Sequence, residues 1–171
     1  MKENVLRIIF LVLILVISSI IFGFSSQDGE TSGGISKAVI TKIADIINIK
    51  SENRDIFIEK GEGVIRKLAH FAIYTLLGIF SMAFFVTFNM KRKKQILITS
   101  IWGFLYACTD EMHQMFTNGR NASFLDVLLD TSGVIFGILV VIFIIFISKK
   151  VNNRSTCKNK ININKIEKVE N

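Results

Sequence analysis

The chain has 171 residues, room for one domain, and half of them are hydrophobic with a mean hydropathy of +0.48, which excludes an ordinary soluble fold. Its net charge of +7 is concentrated beside apolar runs, at Lys91-Arg92-Lys93-Lys94 and in the tail from Lys149 onward, and its aromatic residues are mostly Phe within those runs. Charge placed this way signals topology and contacts lipid headgroups; it excludes a nucleic-acid groove, where basic and aromatic residues interleave.

Four apolar blocks of about 20 residues or more, none broken by proline, are each long enough to cross ~30 Å of hydrocarbon as a helix. They predict an all-α protein, a four-span transmembrane helix bundle. The first span covers residues 4–24. Its start resembles a secretory signal, and cleavage as one is the alternative, but the apolar run is long and Phe24-Ser25-Ser26-Gln27 has no small-x-small site. Residues 25–65 then form a polar connection in which Ile35, Val39, Ile43, Ile46 and Ile47 recur at helical spacing. This predicts a short extracytoplasmic amphipathic helix, lying on the membrane surface or packed over the bundle.

The second span begins near Val64 and runs to about Met90, with Lys67, His70, Tyr74 and, a turn further, Gly78 on one face. The third covers Ile96 to about Phe116 and ends in Tyr106-Ala107-Cys108-Thr109-Asp110-Glu111-Met112-His113-Gln114-Met115-Phe116. On it, Tyr106, Asp110 and His113 or Gln114 share a stripe, with Glu111 turned aside. The turn Thr117-Asn118-Gly119-Arg120 leads to the fourth span, Phe124 to Ile147, where Asp126, Asp130, Gly133 and Gly137 follow i, i+4, i+7, i+11. The glycines suit close helix packing. Residues 1–147 form the membrane domain, and the basic, polar segment 148–171 is expected to be disordered.

Two basic residues lie at the amino terminus, four in the 91–94 loop and seven between Lys149 and Lys168, all on one side of a four-span chain. The positive-inside rule makes that side the cytoplasm, with both termini there. Cys108 and Cys157 then fall on opposite sides and cannot pair. Lys67, His70, Tyr74, Asp110, Glu111, His113, Gln114, Arg120, Asp126 and Asp130 come to one depth at the outer rim. An ionisable group mid-bilayer costs roughly 2.5 to 3.5 kcal/mol on the insertion scale, so these groups are expected to meet one another.

Ser123-Phe124-Leu125-Asp126 matches a capping box, which gives Asp126 a structural alternative. Asp130 lies a turn deeper and is expected to pair with Arg120 or Lys67; Arg120 is expected to bridge carboxylates. The two histidines and four acids form a conceivable metal set, but no spacing matches the His-Glu-x-x-His signature, so neither metal nor cofactor is assigned.

Several separated motifs occur together: Phe24-Ser25-Ser26-Gln27, Arg66-Lys67-x-x-His70-Phe71-x-x-Tyr74-x-x-Leu77-Gly78, and Asp110-Glu111-x-His113-Gln114-x-Phe116 followed by Arg120, Asp126, Gly133 and Gly137. In this order they resemble the VanZ-like family, named for an accessory protein linked to teicoplanin resistance, over nearly all of residues 1–147. Asp130 departs from the resemblance, since Asn is expected there more often. The resemblance implies a bacterial plasma-membrane protein. The leading expectation is a non-enzymatic site for membrane lipids, a cell-wall precursor or a protein partner, which could limit access of a glycopeptide to its target. The alternative is an intramembrane hydrolase of lipid-linked substrates using paired acids and His. A third possibility is that the polar groups only lock the helices together.

Overall fold

The computed structural model describes the backbone of residues 2–119 and 122–167 and, within these, the side chains of residues 3–28, 31, 33–50, 53–119 and 122–153. The all-α expectation holds: α1 (Lys2–Ser25), α2 (Gly29–Ile46), α3 (Ser51–Val86), α4 (Arg92–Gln114) and α5 (Phe124–Glu167) account for the described structure. Residues Met1–Ile138 form one compact unit and Leu139–Asn171 a second. The backbone of the second unit is helical through Glu167, including the segment for which composition predicts disorder. That segment has neither Gly nor Pro, and extending an existing helix avoids the cost of nucleation. The sulfur of Cys157 lies outside the described side chains, so its expected separation from Cys108 is not visible here.

α1, α3 and α5 contain segments long and apolar enough to cross a membrane, namely Glu3–Ser25, Asn53–Val86 and Phe124–Asn153. α4, read from the sequence as a span, is not among them, because basic residues at its start and polar ones at its end lower its hydropathy. Its polarity is arranged inside out. Gln95, Thr99, Gly103, Ala107, Asp110, Glu111 and Gln114 make one buried stripe at helical spacing, while Leu97, Ile101, Trp102 and Leu105 face outward. α1 is similarly apolar on the outside, with Leu11, Leu15 and Phe22 exposed.

α3 starts three turns earlier than hydropathy suggests, and those turns pair with α2 rather than forming part of a loop. Asp28 caps α2 by accepting the Thr31 N–H at 2.7 Å. Its other end closes in a Schellman motif: Asn48 takes a positive φ of 60°, its N–H donates to the Asp45 carbonyl, and the Ile49 N–H donates to Ala44 at 3.1 Å. The reversal lays Ile40 and Ala44 on Ile58, with Ile43, Ile49, Phe57 and Ile65 around them, and Arg54 pairs with Asp45. α2 thus packs on its own chain, while Ile35, Val39 and Ile46 remain exposed on it.

Contacts at the two ends orient the bundle. Arg7 near the start of α1 donates to the Thr87 carbonyl at 2.9 Å and lies over the Phe88 ring, so α1 and α3 run antiparallel. Gln95 at the start of α4 donates to the carbonyls of Phe85 and Phe88 at 3.0 and 3.2 Å, adding a second donor to acceptors at the end of α3 that already take the Phe88 and Met90 N–H groups. The basic 91–94 loop therefore shares an end with Arg7. At the opposite end, Ser25 closes α1 and Gln114 closes α4, with Gln114 Nε2 3.3 Å from Ser25 Oγ.

α3 and α5 approach backbone to backbone. A Cβ at Gly78 would lie 2.4 Å from the Val134 carbonyl oxygen, one at Gly133 2.6 Å from that of Phe71, and one at Gly137 2.3 Å from that of Thr75. Each glycine of the sequence stripe is needed for this contact. Gly78→Ala is therefore expected to destabilise the protein by about 1–3 kcal/mol through overpacking. Gly34→Ala, on the open face of α2 with nothing within 4 Å, should instead stabilise it by roughly 0.5–1 kcal/mol. Thermal unfolding of the two variants in detergent checks the opposite signs.

Candidate functional site

Lys67 lies 19 residues before Val86 on α3, so ~28 Å of helix separates it from the end that meets the basic loop. His70 and Tyr74 follow on the same face, one and two turns further in. α4 brings Asp110, Glu111 and Gln114 to this level from the opposite chain direction, and α5 brings Asp126 and Asp130. Three segments distant in sequence thus meet around one cavity of about 230 Å³, lined by residues that include Arg66, Lys67, His70, Glu111, Gln114, Asp126 and Asp130.

Each group has a distinct setting. Lys67 Nζ is 3.8 Å from Asp126 Oδ1, a half-exposed pair at the mouth. Asp130 is fully buried and faces His70, with 3.6 Å between Oδ2 and Nδ1. The sequence reading expected Lys67 or Arg120 opposite Asp130. Lys67 is instead engaged one turn nearer the helix start, and Arg120 lies outside the described residues. Among the described residues, neither carboxylate oxygen of Asp130 accepts a hydrogen bond, and the buried Tyr74 hydroxyl makes none. Asp110 is buried beside them and accepts from Gln114 Nε2 at 3.2 Å.

Glu111 is not turned aside. It belongs to the same stripe as Thr99, Gly103 and Ala107, and its Oε2 accepts the Ser123 N–H at 3.0 Å. This replaces the expected capping box. Ser123 Oγ accepts the Leu125 N–H at 3.2 Å, but the acid serving the Ser123 amide comes from α4, leaving Asp126 to Lys67.

His113 and Tyr106 face α1 rather than the cavity. The His113 ring stacks on Phe22 with centroids 4.4 Å apart, and its Nε2 lies 3.0 Å from Ser26 Oγ. Tyr106 donates to the Ser18 carbonyl at 2.7 Å. Of the two residues that sequence periodicity offered for the inner stripe, Gln114 takes it and His113 fastens the Ser25-Ser26 end of α1. Gly119 lines the cavity in the turn before α5 with a φ of 74°, a conformation suited to glycine.

Arg66 is a cavity residue that charge spacing along α3 did not single out. It also borders a second, apolar cavity of about 190 Å³, lined by Ile21, Phe24, Ile35 and Ile73 among others, and His70 lines both. The signal was present in the Arg66-Lys67 pair, but only the folded chain separates the two cations. His70, Asp110 and Asp130 each also offer one donor atom within 4.8 Å of the others. They come from α3, α4 and α5 and are three of the six residues that the sequence offered as a conceivable metal set, a choice that spacing alone does not make.

Because Glu111 is itself buried and satisfies a half-buried amide, whereas the Lys67–Asp126 pair is largely solvated, their removal should differ in cost. Glu111→Ala is expected to lower folding stability by about 1–3 kcal/mol, and Asp126→Asn by less than ~1 kcal/mol. Denaturant titrations in micelles measure both, and a reversed order would refute these assignments.

Comparison with known proteins adds to this geometry. No curated protein and no solved structure matches the chain. The family model described as VanZ/LLP1 matches residues 10–147, a region that contains the cavity, the glycine contacts and the α1–α4 junction. The chain is a membrane protein of the VanZ/LLP1 family.

Proposed function

We propose that this protein spans the plasma membrane of a bacterium four times, with both termini cytoplasmic, and binds the phosphate-bearing headgroup of an envelope lipid or lipid-linked cell-wall precursor. α4 serves as a span because its charges lie at its ends or on its inner face and its outward residues are apolar. The end carrying Arg7 and Lys91 to Lys94 is cytoplasmic by the positive-inside rule, which puts the cavity at the outer leaflet.

The observation that carries this reading is the adjacency of the polar and apolar cavities through Arg66 and His70. An amphiphile can rest its headgroup among Arg66, Lys67 and His70 while its chain lies against Ile21, Phe24 and Ile73. Guanidinium and ammonium donors suit phosphate oxygens. Occupancy by a cell-wall precursor would reduce its availability to a lipophilic glycopeptide and so raise tolerance to teicoplanin.

A second reading is hydrolysis of the bound phosphate ester, favoured by the grouping of His70, Asp110 and Asp130 beside the cavity. One carboxylate would take a proton from water as its oxygen attacks phosphorus, and protonated His70 would give a proton to the departing lipid oxygen. Release of phosphate from a lipid-linked substrate, lost in His70→Gln, separates this reading from binding alone.

Detergent-purified protein should gain several degrees of thermal stability with short-chain phosphatidic acid and much less with phosphatidylcholine of equal chain length. Replacing Arg66 and Lys67 together by Ala should abolish the difference. An equal response to both lipids would contradict headgroup binding. For topology, in a background lacking Cys108 and Cys157, an impermeant thiol reagent added to intact cells should label Asn118→Cys and spare Lys93→Cys.

A further inference from the structure

We propose that His70, Asp110 and Asp130 form a binding site for a divalent first-row transition-metal cation, of the Mn²⁺ or Zn²⁺ class. Three helices each contribute one donor to a space in which the donor atoms lie within 4.8 Å of one another. Neighbouring ligands around a cation with bonds of about 2.0–2.4 Å stand roughly 2.8–3.9 Å apart. Side-chain rotations that draw the three donors together by about 1–2 Å would close the site.

The surroundings suit a cation better than a closed hydrogen-bond network. The His70 Nδ1 to Asp130 Oδ2 separation of 3.6 Å is too long for a hydrogen bond. Asp130 is sealed from solvent, yet both of its oxygens lack a hydrogen-bond donor among the described residues. The Tyr74 hydroxyl beside them is also sealed and makes no hydrogen bond among the described residues. Two carboxylates buried at this level are costly as ions unless a positive charge stands beside them. Lys67 stands at the mouth, 3.8 Å from Asp126 and a turn away from Asp130, and Gln114 holds Asp110 in place through Oδ2, as residues behind metal ligands commonly do.

The donor types select the cation. Imidazole suits transition metals, whereas carboxylates alone would favour Mg²⁺ or Ca²⁺, and no thiolate is present among the three. Three protein ligands leave coordination positions for water or another oxygen, and the neighbouring 230 Å³ cavity supplies the room. Metal binding does not require the headgroup reading. It would nevertheless offset the repulsion that Asp110, Glu111, Asp126 and Asp130 exert on a phosphate.

The test uses full-length protein in detergent, stripped with chelator and free of added lipid, so that it is independent of headgroup binding. Mn²⁺ is titrated while the electron paramagnetic resonance signal of the free ion is followed, and Zn²⁺ is added in competition. One Mn²⁺ per chain should bind, and Zn²⁺ should displace it. Asp130→Asn, Asp110→Asn and His70→Gln should each weaken binding at least tenfold, while His113→Gln leaves it unchanged. Circular dichroism and gel filtration identify any variant that fails to fold, and the folded ones decide. Absence of stoichiometric binding of either cation to the unaltered protein would overturn the site, as would binding that persists unchanged in the folded ligand variants.

Discussion

A carboxylate sealed inside an apolar helix bundle is the constraint on which this structure depends. Asp130 has no solvent exposure, and Gly133 and Gly137 one and two turns beyond it let α5 meet the backbone of α3. Burying an ion costs several kcal/mol unless partners repay it. His70 and Tyr74 come from α3, whose register against α5 is fixed by those glycine contacts. Close packing and the polar group are therefore parts of one arrangement, since the approach that buries Asp130 also delivers the groups around it.

The two ends of the helices use polarity differently. Where α1 starts and α3 ends, Arg7 and Gln95 are spent on backbone carbonyls of Thr87, Phe85 and Phe88, and the junction closes on itself. At the opposite end, Glu111 serves the Ser123 amide and Gln114 joins α4 to α1, but Asp110, Asp130 and Tyr74 exceed what helix ends require. A purely structural lock would be expected to satisfy its members. The surplus beside a cavity supports a ligand, and the adjoining apolar cavity supports an amphipathic one.

Hydropathy made the helices, the convergence of polar groups and the glycine stripe legible, because each is a repeat along the chain. It misread the start of α3, since residues 51–63 are too polar for a span and reveal their role only against α2. It also ranked α4 by composition, whereas only its orientation explains how a polar helix can lie among apolar ones. Periodicity left His113 and Gln114 undecided because they are adjacent in sequence and both lie near the edge of the stripe. Ser123 and Asp126 fitted a local motif, but Glu111, twelve residues earlier, took over the acid's part. The sequence brought His70, Asp110 and Asp130 to one depth among six candidate ligands, but only tertiary packing decides that these three meet.

The central claim is that α3 and α5 present Lys67 and Asp126 to one shared cavity while His113 on α4 faces α1. Cross-linking of paired cysteines in membranes, with a short bifunctional thiol reagent and the native cysteines removed, tests this most directly. The account predicts rapid cross-linking of Lys67→Cys with Asp126→Cys and little of His113→Cys with Asp126→Cys. Equal yields, or a higher yield for the second pair, would contradict it.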